Sequence, residues 1–201
     1  MPEPIASIAP PVAPPVAPAR ARWPLIAHPN TPCHAVDAIH AEITREGQGW
    51  RLRYRLAGDL AQLRIPPPAA RPAAPDGLWQ HTCFEVFVGA AGTPAYREFN
   101  LCPSAHWAAY AFRAERERDV AAPALPAPRI VCTQDANRLT LDAWLPDGAL
   151  PCDAVAARLG FTAVIESAHG SLSYWALHHP APRPDFHHPD GWTARLPLHD
   201  S

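Results

Sequence analysis

Lysine is absent from this chain: all 17 basic residues among its 201 positions are arginines. This excludes chemistry that depends on a lysine amine, such as Schiff-base catalysis and the phosphate-binding P-loop. Charged residues of both signs are also sparse, at 18% of the sequence, and the formal net charge is −2 at pH 7. A nearly neutral chain has no electrostatic basis for binding nucleic acid or an anionic membrane surface, so we expect neither as a partner.

Cysteine is scarce and poorly spaced for cross-linking or metal binding. The five cysteines lie far apart, at Cys33, Cys83, Cys102, Cys132 and Cys152. An odd number without a CxxC motif argues against a disulfide framework and against a cysteine zinc site. Such residues are typical of small buried hydrophobic positions in a reducing compartment. We therefore expect a cytoplasmic protein, with the periplasm as the alternative.

Long apolar runs and common catalytic motifs are missing as well. No run approaches the roughly 18 residues of a membrane-spanning helix, and G-x-S-x-G, H-E-x-x-H and a glycine-rich phosphate loop do not occur. Residues 1–22 are apolar but interrupted by proline throughout, and they lack the basic start of a signal peptide. They predict a disordered, partly polyproline-II tail ahead of one domain over residues 23–201.

The remainder of the chain alternates apolar and polar residues in short runs. In residues 50–56, Trp50, Leu52, Tyr54 and Leu56 face one way while the arginines between them face the other. Turn residues separate about eleven such runs, and only residues 152–158 suggest a short helix. The sequence therefore predicts an all-β antiparallel sandwich or barrel of about eleven strands with at most one short helix.

The run GLWQHTCFEVFVG at residues 77–89 holds one acid inside an apolar strand. Phe84, Val86 and Val88 alternate as a strand face directed into the core does. Glu85 must then point to the opposite face. The tryptophan at the start of this run, Trp79, follows a proline-rich loop and lies where ligands meet a sandwich.

Residues 96–102 form the next predicted strand and carry further polar candidates. If the two strands pair, one mixed face gathers Glu85, Tyr96, Glu98 and Asn100. Carboxylate and amide groups beside aromatic rings suit the recognition of hydroxyl groups. Arg97, on the other face, can serve as a bidentate partner of a carboxylate or as a ligand contact. The alternative is an ordinary solvated sheet face with an Arg–Glu pair.

Two more tryptophans lie at strand ends. Trp175 comes late in its strand, ahead of two histidines, and Trp192 opens the last strand. Either ring can stack on the apolar face of a sugar or plug the end of the sandwich. Trp50, Trp107 and Trp144 lie within alternating runs, which favours core packing for them.

The loop of residues 178–190 contains two histidine doublets between prolines. Neighbouring histidines on an extended chain point to opposite sides, so a metal would need one histidine from each doublet and an aspartate. We predict no metal there. The other interpretation is a rigid loop whose imidazoles bond to the backbone or to a ligand, with His188 as the candidate ligand contact.

Three segments, LWQHTCFEVFVG, AYREFNLCPSAHWAAYAF and SLSYWALHHPAPRPDFHHPDGW, resemble a bacterial DOMON-like family that is related to the family 9 carbohydrate-binding modules. The resemblance covers roughly residues 35–198. It implies a jelly-roll-like β-sandwich with a ligand-binding role. In the sugar-binding relatives two tryptophans clamp a terminal sugar, and a glutamate near the first one bonds to its hydroxyls. The resemblance therefore implies Trp79 and Glu85, with Trp175 or Trp192 as the second tryptophan.

Other DOMON relatives hold haem through methionine and histidine, and this sequence departs from them because Met1 is its only methionine. Our leading hypothesis is a non-catalytic module that binds a saccharide or glycoside without a cofactor. The alternatives are a haem-binding or electron-transfer module that uses two histidines, and an uncharacterised enzyme that uses Glu85 and Glu98.

Overall fold

The computed structural model describes residues 22–71, 73, 75–150 and 156–197, and it is built from β-strands joined by loops and four short 3-10 turns. The strands are β1 Arg22–Ala27, β2 Val36–Arg45, β3 Gly49–Gly58, β4 Cys83–Ala90, β5 Tyr96–Leu101, β6 Trp107–Ala114, β7 Glu117–Arg118, β8 Arg129–Gln134, β9 Arg138–Pro146, β10 Ala156–Glu166, β11 Leu172–Ala176 and β12 Ala194–Pro197. The turns are Leu60–Gln62, Leu78–Gln80, Asp147–Ala149 and Pro189–Gly191.

Two antiparallel layers share the first strand. The first layer runs in the order β1-β2-β3-β9-β8 and the second in the order β7-β6-β5-β4-β10-β11-β1. Strand β10 is long enough to pair with β4 along one edge and with both β11 and β12 along the other. The predicted antiparallel all-β sandwich is confirmed, with twelve strands among the described residues.

The main core lies between the two layers and is filled by the inward face of each strand. Leu52 and Leu56 of β3 pack there, opposite Phe84, Val86 and Val88 of β4. The alternation of apolar and polar residues along these strands produces this arrangement, because successive side chains point to opposite faces of a sheet. The predicted core role of the three β4 residues is confirmed.

The short helix predicted over residues 152–158 is not present where the structure can be compared. Residues 156–158 open β10, and Ala157 and Arg158 pair with β4. Ladder pairing along two edges outweighs the weak helical preference of an alanine-rich stretch. The rest of that prediction, at 152–155, lies outside the described residues. So does the predicted tail, except that Arg22 is the first residue of β1.

The outer face of the second layer, directed away from the main core, carries a second group of packed rings. Phe87, Tyr96, Phe112 and Trp192 form this outer cluster. It lies where β4, β5 and β6 meet the loop that precedes β12, so the loop is held against the sheet. Within the described part of the chain, no helix has the length and apolarity needed to cross a membrane.

Candidate ligand-binding site

A cavity of about 390 Å³ opens beside the outer cluster, on the same face of the second layer. Its floor, defined here as Glu85, Phe87 and Glu98, belongs to β4 and β5. Two walls of mainly aromatic side chains rise on either side of the floor. The remaining lining residues are Trp79, Tyr110, Phe112, Arg116, Arg118, Val164, Tyr174, Pro184, Phe186 and His187.

Strand register brings the two glutamates of the floor together. In the antiparallel β4–β5 pair, Glu85 lies opposite Asn100 and Phe87 lies opposite Glu98. Residues that are two apart on one strand share a face, so Glu85 and Glu98 are diagonal neighbours on the outer face. The predicted pairing of these strands, with one mixed face, is confirmed.

The Glu85 carboxyl group is buried with little hydrogen bonding. Glu85 is only 2% exposed to solvent. The hydroxyl of Thr162 is 3.4 Å from Oε2, and Oε1 has no hydrogen-bond partner among the described residues. Burial raises the pKa of Glu85 well above its ordinary value, and the charge of Glu98 raises it further. The surroundings of Glu85 therefore favour the protonated form of its carboxyl group.

The carboxyl group of Glu98 has more polar neighbours than that of Glu85. The side-chain amide of Asn100 donates to its Oε1 at 2.6 Å, and Nε2 of His187 lies 3.8 Å from Oε2. Burial raises the pKa of Glu98 to about 7, while the amide of Asn100 and the charges of Arg118 and Arg116 act in the opposite direction. The floor thus holds two carboxyl groups whose pKa is raised by burial, and Glu98 titrates near neutral pH.

Hydrogen bonds through the hydroxyl group of Tyr96 hold His187 beside Glu98. The backbone N–H of Arg116 donates to Oη of Tyr96 at 3.0 Å, and Oη is 2.6 Å from Nδ1 of His187. Burial lowers the pKa of His187 to about 4, so its ring is neutral at pH 7. The hydrogen bond to Tyr96 orients the ring of His187 so that Nε2 lies on the side of Glu98.

The first wall is built on β6 and the turn before β4. Trp79 is 42% exposed, and its ring meets that of Tyr110 edge-on at 6.2 Å between centroids. Tyr110 is held in place by donating to Asp76 at 2.6 Å and by Arg118, whose Cζ lies 3.7 Å from the ring centroid. Trp79 is therefore a solvent-accessible ring on a fixed support.

The second wall comes from β11 and the histidine-rich loop. Tyr174 and Phe186 contact each other with centroids 5.9 Å apart. Three strands, β5, β4 and β10, separate β11 from β6 in the layer, so this wall faces the first one across the floor. Phe186 is fixed in turn, because its carbonyl oxygen accepts a 2.8 Å hydrogen bond from Nε1 of Trp192.

The two arginines of the lining are both paired with acids. Arg116 contacts Asp185 at 2.7 Å and Arg118 contacts Asp76 at 3.4 Å. All four side chains lie outside the floor and are partly exposed. The arginines therefore form a charged rim that is neutralised by its own aspartates.

Three of the residues proposed from the sequence line the cavity: Trp79, Glu85 and Glu98. Asn100 is buried behind them and orients Glu98. Arg97 lies outside the lining and donates to the carbonyl oxygen of Gly148 at 2.7 Å. His188 also lies outside it, and its Nδ1 accepts from the backbone N–H of Asp190.

Neither candidate for the second tryptophan lines the cavity. Trp175 points into the main core, where Nε1 donates to Oγ of Ser173 at 3.0 Å. Trp192 belongs to the outer cluster, where it stacks on Phe87 at 5.7 Å and covers Gly160. Trp192 therefore supports Phe87 of the floor from the side, and the aromatic ring that faces Trp79 across the floor is Tyr174.

Sequence reasoning missed the residues that complete the walls. Tyr110 could have been found from the alternation of residues 107–114, since it pairs with Glu98 across the observed β5–β6 ladder and shares its face. Tyr174 could have been found from the alternation of side chains along β11. Its neighbour Trp175 points into the core, so Tyr174, opposite Val164 of β10, must point to the outer face. Phe186 and His187 lie in a loop without periodicity, so no sequence signal placed them.

The histidine-rich loop uses its imidazoles for structural contacts. Nε2 of His179 lies 3.0 Å from the carbonyl oxygen of Ile26, and His187 is bonded to Tyr96. Across the described ranges, no cluster of three or more His, Cys, Asp or Glu side chains is arranged to hold a metal ion.

The fold and the site together define a β-sandwich with an aromatic-walled cavity, floored by buried carboxyl groups, on the outer face of one sheet. A putative carbohydrate-binding protein from Bacteroides uniformis ATCC 8492 has a similar structure, with a TM-score of 0.61 and 15% identity over 89% of this chain and 86% of that one. A family 9 carbohydrate-binding module from Caldicellulosiruptor kristjanssonii, in complex with cellotriose, gives a TM-score of 0.48 and 7% identity over 75% of this chain and 74% of that one. No protein-family model and no curated protein matches the sequence. At such identity the first likeness shows a shared fold.

Proposed function

We propose that this protein is a non-catalytic module that binds a saccharide or glycoside in the cavity between Trp79 and Tyr174. The observation that carries the proposal is that Glu85 lines the floor of the cavity while its buried Oε1 has no hydrogen-bond partner among the described residues. A buried acceptor or donor without a partner costs free energy, and a ligand hydroxyl group that bonds to it removes that cost.

The dimensions and chemistry of the cavity support a sugar. A volume of about 390 Å³ falls at the lower end of the range of small-molecule sites. The exposed ring of Trp79 offers an apolar surface on which a pyranose ring can stack. Glu85 and Glu98 then face the polar edge of the sugar, where each carboxyl group can bond to hydroxyls.

The likeness in fold to the Bacteroides uniformis protein, which is named for carbohydrate binding, supports the same ligand class. The DOMON-like membership and the jelly-roll-like topology implied by the sequence resemblance are part of this proposal. We also propose that the module works without a cofactor, since its cavity can be filled by a neutral organic ligand alone.

Tryptophan fluorescence titrated with a panel of mono- and oligosaccharides tests the proposal, because Trp79 lies at the cavity and is partly exposed. We expect at least one saccharide to shift the emission. Trp79→Ala should weaken binding about tenfold or more, and Trp79→Phe should retain part of the affinity. Val131→Ala, at an exposed position of β8 in the other layer, is the matched control and should bind as the wild type does.

Two results would overturn the proposal. One is a full panel, including oligosaccharides, that leaves the emission and the heat of mixing unchanged. The other is hydrolysis of a glycoside that Glu85→Gln abolishes, because it would make the two floor glutamates an enzyme's acid pair.

A further inference from the structure

The two floor carboxyl groups lack a positive partner within the described residues. Arg116 and Arg118 reach the lining but are paired with Asp185 and Asp76 at the rim. The nearest imidazole, His187, is neutral at pH 7, as described above. The next arginine on the same face, Arg158, lies over Trp192 with Cζ 5.5 Å from the ring, and it does not line the cavity.

This arrangement is unusual because buried carboxylates are normally paired with a cation or are well supplied with hydrogen-bond donors. Glu98 has the amide of Asn100 and a distant His187, and Glu85 has only the long contact from Thr162. Oε1 of Glu85 has no described partner at all. Both acids line the same cavity, so a ligand in the cavity could supply the hydrogen-bond donors that the described residues do not.

We propose that the ligand carries an amino group, and that its ammonium binds between Glu85 and Glu98 on the cavity floor. The ligand class is then an amine-bearing saccharide, an inference that rests on the proposed saccharide function and narrows it. An ammonium supplies three donors and one positive charge, which matches two neighbouring carboxylates better than a hydroxyl with its single donor.

The walls are compatible with a cation at this position. Trp79 and Tyr110 on one side and Tyr174 and Phe186 on the other are aromatic, and aromatic faces attract ammonium groups within about 6 Å of the ring centroid. Phe87 shares the face of Glu85 on β4 and lies opposite Glu98 of β5, so its apolar ring lowers the polarity beside both carboxyl groups and strengthens an ion pair there. The sugar ring would occupy the space towards Trp79.

An amine and a hydroxyl differ in their effect on protons at this site. Burial favours the protonated form of Glu85 and raises the pKa of Glu98 to about 7, so Glu98 is partly protonated near neutral pH. A bound ammonium favours both ionised carboxylates, so the site must release protons when the amine enters. A hydroxyl group bonds equally well to a neutral carboxyl group and leaves its proton in place.

Isothermal titration calorimetry on the full chain separates these two modes. The probes are the methyl glycosides of glucosamine, mannosamine and galactosamine, each compared with its N-acetyl form and with the parent hydroxyl sugar. Each titration is repeated in slightly acidic to neutral buffers of different ionisation enthalpy. We expect at least one amine to bind about tenfold tighter than both of its neutral forms, with release of about one proton per site.

Glu85→Gln is the decisive variant, because glutamine has the shape of the protonated acid and leaves the unliganded floor unchanged. It should abolish most of the preference for the amine and most of the proton release. Glu46→Gln, an exposed acid in the other layer, should change neither.

The outcomes distinguish this inference from the proposed function. Neutral sugars that bind as tightly as the amines, without proton release, would contradict the inference and leave the saccharide function intact. An amine preference that persists in Glu85→Gln would also contradict it. If no sugar of either kind binds the wild-type protein, the proposed function fails and the inference fails with it.

Discussion

Tyr96 and His187 share a hydrogen bond of 2.6 Å between Oη and Nδ1, and this bond joins β5 to the histidine-rich loop. The same hydroxyl group accepts from the backbone N–H of Arg116. One side chain thus ties the floor strand to both segments that border the cavity. It also orients the ring of His187, whose Nε2 lies 3.8 Å from Oε2 of Glu98.

Removal of that hydroxyl group should loosen the cavity border without disturbing the core. Tyr96→Phe keeps the stacked contact with Phe112, whose ring centroid lies 4.5 Å away, but it loses both hydrogen bonds. We expect the free energy of unfolding to fall by about 1–2 kcal/mol in urea titrations. Tyr174→Phe, whose hydroxyl has no hydrogen bond to another described residue, is the control and should change stability by less than about 0.5 kcal/mol.

Glu98 should make stability depend on pH in a defined direction. Burial raises its folded-state pKa from 4.5 to about 7, so the folded protein holds a proton that the unfolded chain has lost between those values. The contribution of Glu98 to the free energy of unfolding is fully present below pH 4.5 and is lost as the pH rises to 7. The difference in unfolding free energy between wild type and Glu98→Gln should fall over this window, by on the order of 2 to 3 kcal/mol.

His187 should make the free energy of unfolding depend on pH in the opposite direction. Its folded-state pKa is lowered from 6.5 to about 4, so its contribution is full above pH 6.5 and is lost as the pH falls to 4. The difference in unfolding free energy between wild type and His187→Asn should therefore rise with pH across that window. Chemical denaturation in a series of buffers measures both differences, and slopes of the same sign for the two variants would contradict the assignment.

Gly160 should not tolerate a side chain, because Trp192 lies directly over it. A Cβ atom at this position would be 2.2 Å from Cδ1 of Trp192. Gly160→Ala should displace that ring and lower the free energy of unfolding by about 1–3 kcal/mol, as measured by thermal or urea unfolding. In Gly148→Ala the nearest atom is 3.9 Å away, so this control should fold with nearly unchanged stability.

Most of the fold could be predicted from the sequence, because strands and turns are indicated by patterns of neighbouring residues. Strict alternation placed Leu52 and Leu56 in β3, and turn residues separated β4, β5 and β6. The first strand escaped prediction because Pro24 interrupts its alternation. A proline has no N–H to donate to a neighbouring strand, so the sequence alone argues against a strand at this position. Of the helix predicted over residues 152–158, the part at 156–158 is wrong, because ladder pairing in β10 outweighs local preference there.

The site could be predicted only in part, because its two walls come from distant parts of the chain. Trp79 and Glu85 lie close in sequence, and Glu98 follows from a hairpin, so the floor and one wall were within reach. The choice between Tyr174 and Trp175 depends on which face of β11 meets the core, and that is decided by its pairing with β10. The sequence resemblance implied a second tryptophan, Trp175 or Trp192, and so did not point to Tyr174.

Paired substitutions at those two positions test this placement. Tyr174→Leu should weaken saccharide binding about tenfold, because it removes a ring from the cavity wall. Trp175→Phe, one residue further along, should lower stability through the lost contact with Ser173 but leave the affinity of the folded protein unchanged. Calorimetric titration of both variants with the same sugar measures the contrast, and the reverse pattern would contradict the assignment of the second wall.

The most direct measurement for the whole account is a crystal structure of the chain with the tightest-binding saccharide of the panel. The account predicts a sugar ring in the cavity, against Trp79 and between the two aromatic walls, with one of its polar groups bonded to Oε1 of Glu85. A sugar that is bound at another surface, with the Glu85 carboxyl group still unpartnered, would contradict the central claim.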